Sequence, residues 1–582
     1  MYPKQRKITG YVNNGEGFKK GWKSFFVMTF DKDIKKYGTW ENKNNTVLPD
    51  SVTAEGQGYG AYLEFKAGET VQVKVASSYI SAEQAELNLV NELGGDKNLE
   101  QTKKKAAAVW NKSLNKIQVE GGSLADKETF YSCFFRASLF SRKFYEIGKD
   151  GMPYYFSPYD GQVHEGYMFT DTGFWDTFRA QFPLNTLMQP TMHGQYMQAI
   201  LDAQVQCGWL PSWSFPSEAG SMIGNHAISL FTDAWVKGIR TFDPKAALKA
   251  YLHESTNKGP WGPANGRDGW KEYAQLGFVP YPKYREATAK TLEYAYDDFC
   301  GYQLAKVTGN EFYADIFKRQ MYNYKNVYDP STTFMRGRDA EGKWAPNFDP
   351  FEWGGPFTEG NAWHWQWSVF QDVQGLINMM GGNKNFTSKL DAVFTSPNTV
   401  NVGNYGGMIH EMTEMVMANM GQYAHGNQPT QHMVYLYNYA NEPWKAQFHS
   451  REIMNKLYDA TENGYPGDED QGQTSSWYVL SALGLYSVTP GTGEYVFGSP
   501  MFKKMTINLE NGKKFVIEAP LNSNENVYIS SASLNGQNYN QNFITHSDLI
   551  KGGVLKLEMN AKPNKSRGIA NEDKPFSLTK MD

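Results

Sequence analysis

At 582 residues the chain is longer than one hydrophobic core ordinarily organises, so roughly two or three domains are expected. A formal net charge of -4 with 20% charged residues leaves no basic stripe for nucleic acid, and no run of about 18 apolar residues argues for a membrane span. Three scattered cysteines, Cys133, Cys207 and Cys300, make neither a CxxC pair nor a disulfide framework and are expected to be buried thiols.

The segment Met1-Tyr-Pro-Lys-Gln-Arg-Lys7 has no apolar h-region, hence no signal peptide. Phe25–Phe30 then reads as a strand. Tyr62–Phe65 and Val71–Val75 alternate around Lys66-Ala-Gly-Glu69, which predicts a hairpin. Ser81 can cap a helix running to Glu92, and Gln101–Lys116 has the Lys- and Ala-rich composition of a linking helix. From about Asp126 to Leu485 the pattern is mostly helical: Lys127–Lys143, Gln195–Gln206, Ile228–Ile239, Ala287–Thr308, Asn310–Tyr328, Trp367–Met380, Met408–Met420, His432–Tyr437 and Glu442–Ala460. Gly- and Pro-rich loops carrying Trp separate these helices, as in an α/α toroid, although an irregular helical domain would look similar. Met505–Glu510 and Lys513–Glu518 flank Asn511-Gly512, a pair that favours a two-residue hairpin turn, and Val554–Met559 is a further strand. The expected fold is mixed β and α. It comprises a β-sandwich domain at 1–100, a linker helix at 101–122, a helical toroid at 123–488 and a C-terminal β segment at 489–582.

Aromatic residues make up 15% of the chain, and such rings serve either core packing or stacking on the apolar face of a pyranose. Five polar segments can carry chemistry. In Gly173-Phe-Trp-Asp-Thr-Phe-Arg179, Asp176 and Arg179 can pair structurally or bind sugar hydroxyls. Glu359 lies among Trp353, Trp363, Trp365 and Trp367; an acid desolvated against indoles keeps its proton near neutrality, whereas an acid at a helix start capped by Thr358 would be structural. His410-Glu411-Met-Thr-Glu414 departs from the His-Glu-x-x-His zinc helix at its last position, leaving Glu411 as a sugar-binding acid or a helix-surface residue. Asn427 and Gln428 offer oxygens acceptable to calcium or to hydroxyls, or simply form a polar turn. In Tyr465-Pro-Gly-Asp-Glu-Asp-Gln-Gly-Gln473, an extended turn would aim Asp468 and Asp470 at one water or metal, with Glu469 turned aside; the alternative is a solvated acidic loop. The EF-hand pattern fails there, and neither a Gly-rich phosphate loop after a strand nor a Gly-x-Ser-x-Gly elbow occurs.

Together these segments resemble glycoside hydrolase family 92, the calcium-dependent exo-acting α-mannosidases. The resemblance rests on Gly173–Arg179, Gly208-Trp-Leu-Pro211, Thr291–Phe299, Thr358-Glu-Gly-Asn-Ala-Trp363, Ala424-His-Gly-Asn-Gln-Pro429, Tyr435–Tyr439, Gly467–Gln473 and Trp477-Tyr-Val479. It implies an N-terminal β-sandwich, an (α/α)6 catalytic barrel, and inverting release of terminal α-mannose from N-glycans or mannan, with α-1,2 as the expected linkage. It implies Glu359 as general acid and Asp468 and Asp470 as the carboxylates that activate water. Trp175, Asp176, Arg179, His410, Glu411, Asn427 and Gln428 become substrate-binding residues, and Asp470, Asn427 and Gln428 ligands of Ca2+. It also implies a periplasmic or extracellular location. Family members carry a longer N-terminal domain with a glycine- and histidine-rich opening region that nothing here matches. An incomplete sandwich is therefore expected, and a truncated, inactive mannose-binding homologue is the alternative function. A toroid polysaccharide lyase is a third reading and would need a Tyr or His base beside an arginine.

Overall fold

The computed structural model describes residues 1–13, 22–43, 45–262 and 265–580, which form two compact units. The first comprises Met1–Ser113 with Lys143–Phe169; the second comprises Leu114–Arg142 with Thr170–Asp582.

The first unit is β-rich. Strands β1 (Lys7–Asn13), β2 (Lys23–Phe30), β3 (Lys36–Glu41), β4 (Thr46–Pro49), β5 (Tyr59–Glu64) and β6 (Val73–Ser78) form two antiparallel sheets, ordered β1-β2-β6 and β4-β3-β5. The expected hairpin between the fifth and sixth strands does not form. Its turn is present, with the Glu69 N–H on the Lys66 carbonyl at 3.2 Å, but it carries the chain from one sheet to the other. β5 takes the edge of β3, and β6 takes the edge of β2 that β1 leaves open, so each strand pairs with a different partner. Helix α1 (Ala82–Leu93) starts where Ser81 accepts from the Gln84 N–H, and it buries Ala85 and Leu89 against Val27. Glu146, from the later segment of this unit, accepts from the Tyr79 N–H (2.8 Å) and the Asn88 amide (2.6 Å). Helix α2 (Leu99–Leu114) occupies the position of the expected linking helix.

The second unit holds the large core. Strand β7 (Ile117–Glu120) is followed by α3 (Leu124–Ala137), α4 (Gln181–Met188), α5 (Pro190–Cys207), α6 (Ala227–Val236), α7 (Pro244–Ser255), α8 (Ala287–Val307), α9 (Glu311–Gln320), α10 (Val373–Met379), α11 (Asn383–Thr395), α12 (His410–Ala418), α13 (Pro443–Leu457) and α14 (Gln473–Ala482). α14 packs on α3 and α4, α4 on α5, α5 on α6 and α7, α6 on α8, α8 on α9, and α10 on α11. This succession of paired helices is the helical toroid the sequence led us to expect.

Several helices are shorter than their apolar patterns. α3 ends at Ala137, where the Ser138 hydroxyl folds back onto the Phe134 carbonyl at 2.7 Å. The 310–328 pattern stops at Gln320 and continues as a 3-10 turn and a short strand. The 367–380 pattern becomes helical only at Val373, because Asp372 caps it by accepting from the Gly375 N–H. Residues 433–437 lie in a 3-10 helix, Met433–Tyr439, with His432 at its N-cap. The helices α4, α7, α11 and α14 are not among the helices expected from sequence.

After the helices, strands β8 (Lys504–Asn508), β9 (Lys514–Glu518), β10 (Tyr528–Leu534) and β11 (Gly553–Asn560) join β7 and Gln537–Asn538 in one sheet. From Gln537–Asn538 inward, its order is β10-β11-β9-β8-β7, with β9 and β11 parallel. β8 and β9 pair as expected, but through a three-residue loop: Leu509 N–H reaches the Lys513 carbonyl, and Gly512 alone among the loop residues is left-handed at φ 81°. Cys133 and Cys300 are buried thiols, and Cys207 is partly buried. Among the described residues no helix is long and apolar enough to cross a membrane.

Candidate active site

Five loops of the second unit converge through hydrogen bonds that run from loop to loop. The Gly173 N–H donates to Gln471 Oε1 at 3.1 Å. The Ala180 and Gln181 N–H groups donate to Gln473 Oε1 at 2.8 and 3.1 Å. Asn427 Nδ2 donates to the Glu359 carbonyl at 2.7 Å, and Gln428 Nε2 to the Asp468 carbonyl at 3.3 Å. The Glu359 N–H donates to the Tyr405 hydroxyl oxygen at 2.8 Å. The loops at 426 and 467 touch so closely that a Cβ on Gly467 would meet the Gly426 carbonyl at 2.5 Å. Only glycine permits that approach.

The 467–473 turn is not extended. Asp470, Gln471 and Gly472 are all left-handed, at φ 45°, 53° and 89°. Asp468 and Asp470 therefore do not share a face: the Asp468 side chain is 66% exposed, whereas burial, then the charges of Asp468 and Glu469, push the Asp470 carboxyl up to about 7. Glu469 does turn aside, onto Ser475, whose N–H and hydroxyl it accepts at 3.0 and 2.6 Å.

Glu359 is also left-handed, at φ 42°. It is not a helix-start acid: the short helix Ala362–Trp365 is capped by Asn361, and the Thr358 hydroxyl has no hydrogen-bond partner. Trp353, Trp365 and Trp367 are fully buried, and Trp365 Nε1 donates to the Thr358 carbonyl at 2.7 Å. Burial, then the charges of Glu411, Asp470 and Glu286, push the Glu359 carboxyl up to about 8.

Trp175 and Asp176 sit in one helical turn that opens at Gly173. Both Asp176 oxygens and Trp175 Nε1 are buried without a hydrogen-bond partner. Burial, reinforced by Asp470 and Glu359, raises Asp176 well above the usual carboxylate range, and Arg179 offsets only part of this. Arg179 is 2% exposed, donates to the Trp175 carbonyl at 3.1 Å and stands 3.5 Å from Glu293, so it is paired within the helical core. At the start of α12 an exposed His410 bridges Glu411 and Glu414, 3.0 Å from each. Burial opposes its protonation, but these carboxylates outweigh it and raise its pKa. Glu411 Oε2 and Glu414 Oε2 are buried without partners.

The donor set suits a hard cation. Carboxylates crowd together with partnerless oxygens, and each raises its neighbours' pKa, which a bound dication would reverse. Asn427 and Gln428 each spend the amide nitrogen inside the protein, leaving the carbonyl oxygen as the remaining polar atom. Ligand atoms of His410, Glu414 and Asp468 lie within 4.8 Å of one another, a grouping different from the Asp470, Asn427 and Gln428 set expected from sequence. Sequence reasoning missed Tyr405 and Glu286, and it passed over Glu414 and Gln471 within segments it had singled out. Tyr405 and Glu286 stand in short Gly- and Tyr-containing stretches with no pattern to mark them. Gln471 was within the recognised turn, but its role depends on a left-handed backbone.

A family model for the glycosyl hydrolase family 92 catalytic domain matches residues 84–561, and one for that family's N-terminal domain matches residues 1–78. A solved inverting mannosidase of family GH92 from Bacteroides thetaiotaomicron VPI-5482 is 46% identical, with TM-score 0.93, covering 100% of this chain and 79% of that one. A second GH92 α-mannosidase from Bacteroides thetaiotaomicron is 32% identical, with TM-score 0.85 over 99% of this chain and 75% of that one, and has also been solved with mannoimidazole. A protein of Arthroderma benhamiae described as an uncharacterized secreted glycosidase is 25% identical over 96% of this chain and 70% of its own length.

Proposed function

The chain belongs to glycosyl hydrolase family 92, and we propose that it releases terminal non-reducing α-linked mannose from N-glycans or mannan, with inversion and in dependence on Ca2+, α-1,2 being the linkage we assign. The observation that carries this reading is the meeting of Glu359, Asp470 and Asp176 from three separate loops, each near enough for its charge to bear on another's proton. Similarity to an inverting mannosidase at 46% identity supports the choice of sugar and stereochemistry.

In this reading Glu359 is the general acid. A carboxyl pushed up to about 8 keeps its proton at neutral pH and can hand it to the glycosidic oxygen as the bond breaks. Asp470, with the charge of Asp468 acting on it from the exposed side, accepts a proton from the water that attacks the opposite face of the ring. An inverting pair needs about 6.5–9.5 Å between its carboxyl groups for that water, and placement on separate loops suits the gap. The partnerless oxygens of Asp176 and Glu411 accept from sugar hydroxyls, and Trp175 Nε1 donates to one. His410 lies over the same acids at the exposed edge. Asp470 with the amide oxygens of Asn427 and Gln428 would hold calcium, which supplies a hard positive charge for two adjacent mannose hydroxyls and favours a distorted, oxocarbenium-like ring. Such an enzyme would work in the periplasm or outside the cell, as the description of the Arthroderma relative as secreted supports.

Mannose release from an α-1,2-linked mannobiose, measured with calcium and after chelation, tests the reading. Turnover that disappears on chelation and returns with calcium is the expected result. Binding of mannose without turnover would instead favour the inactive homologue, and an unsaturated product absorbing in the ultraviolet would indicate a lyase.

A further inference from the structure

The turn that carries Asp470 places three consecutive residues in the left-handed region, two of them not glycine. Such a run persists only where its surroundings over-determine it. The residue between the two aspartates supplies much of that determination. Glu469 points away from the acids and accepts from both the Ser475 N–H and its hydroxyl, closing the turn onto the first residues of α14. The Glu469 carboxylate also stands 3.4 Å from Arg136 Nε, which donates to the same Ser475 hydroxyl at 3.0 Å. The Arg136 guanidinium lies 4.7 Å from the centre of the Tyr465 ring, at the other end of the turn. Its Nη2 contacts the buried Cys133 sulfur at 3.2 Å, within the same helix. Both ends of the turn are thus tied to α3. That helix is itself fixed by a capping box of Ser123 and Asp126 and by burial of Phe130, Cys133 and Phe134. Neither Arg136 nor Glu469 has a role in the chemistry assigned above.

We propose that Glu469 and Arg136 form a positioning pair that holds the Asp470 turn in its left-handed shape and so fixes where the attacking water is activated. The proposal rests on the reading of Asp470 as the base. A site built on loops reaches its precision through buried supports of this kind, and an ion pair anchored on a helix is one.

Four variants test it: Glu469→Ala, Glu469→Gln, Arg136→Ala and Arg136→Lys. Glu469→Ala removes both Ser475 hydrogen bonds and is expected to lower kcat at least about 30-fold, with KM within about threefold. Glu469→Gln can keep both bonds and should recover kcat to within about fivefold of the parent. Arg136→Ala should resemble Glu469→Ala, and Arg136→Lys should recover part of the loss. Hydrogen exchange read on residues 466–476 gives an answer independent of substrate. In Glu469→Ala these amides should exchange about tenfold faster or more, with α8 unchanged. Unaltered exchange in this segment overturns the proposal, whatever the substrate proves to be. Loss of protection throughout the unit, with the folded fraction turning over at the parent rate, also overturns it. If the parent protein hydrolyses no α-mannoside, the functional reading fails separately and the exchange result alone decides the positioning claim.

Discussion

Two clusters of buried ionisable groups lie in the helical unit, and they are built on opposite rules. In the helical core Arg267, 1% exposed, donates to Asn225 (2.9 Å) and to Asp298 (2.9 Å), while Tyr251 and Tyr273 donate to the two oxygens of Asp298. Beside it His226 pairs with Glu293 at 2.9 Å and Asp297 at 3.2 Å and stacks on Phe178 with ring centres 4.3 Å apart. Every acid there meets a cation. In the loop site Glu359, Asp470, Asp176, Glu411 and Glu414 crowd together with an exposed His410 and a shared Arg179 as the nearby cations. Several of their oxygens have no partner at all. Paired buried charge is scaffold, because its desolvation is offset within the protein. Buried carboxyls without a partner carry a cost that the fold leaves standing, and such a cost marks functional sites.

The largest predicted effect breaks the loop site. Glu359→Gln and Asp470→Ala should each reduce mannose release by about 10³-fold or more, which is about 4 kcal/mol of transition-state stabilisation, with little change in melting temperature. Parent-like turnover in both would remove their roles. The matching change in the core should do the reverse. Arg267→Met leaves Asp298 buried without its cation and should cost about 3–5 kcal/mol of stability by denaturant unfolding. A parent-like midpoint would show that the core pairing is not what holds the helices.

A pH titration sharpens the same contrast. Burial alone would lower the His226 pKa, but Asp297 and Glu293 outweigh it and push it up to about 9. Its folded-state value lies above the unfolded one, so its contribution is complete below about pH 6.5 and is lost as pH rises towards 9. The stability gap between the parent and His226→Gln should shrink by ~3 kcal/mol across that window. A constant gap would mean that His226 is neutral in the core. The smallest effect is the most diagnostic in sign. Asp176→Asn replaces a buried, partnerless carboxyl facing other acids and should leave stability unchanged or raise it by ~1 kcal/mol, while kcat/KM falls about 100-fold. A loss of several kcal/mol would place Asp176 with the scaffold.

Much of this was legible in the sequence, and the limits have physical causes. The Gly173–Arg179, Thr358–Trp363 and Gly467–Gln473 segments singled out the acids, but each also had a structural reading, and only their joint resemblance to one family assigned the acids roles. The β, helical, β succession followed from periodicity and composition. Side-chain direction did not. Asp468 and Asp470 diverge because two residues other than glycine adopt a left-handed backbone, a choice set by Glu469, Gln471 and Gln473 reaching other parts of the fold. Arg179 is held in the helical core because Glu293, more than a hundred residues away, is its partner. Strand pairing in the first unit was misread for a similar reason: β5 and β6 are neighbours in sequence, but each finds its edge in a different sheet.

The central claim is that Glu359 and Asp470 act as separate acid and base on an α-mannoside. Proton NMR of the first minutes of α-1,2-mannobiose hydrolysis with calcium tests it most directly. The account predicts that β-mannose appears first from the non-reducing unit and mutarotates to α only later, with no release by Glu359→Gln. Initial appearance of α-mannose, or turnover by Glu359→Gln at the parent rate, would contradict it.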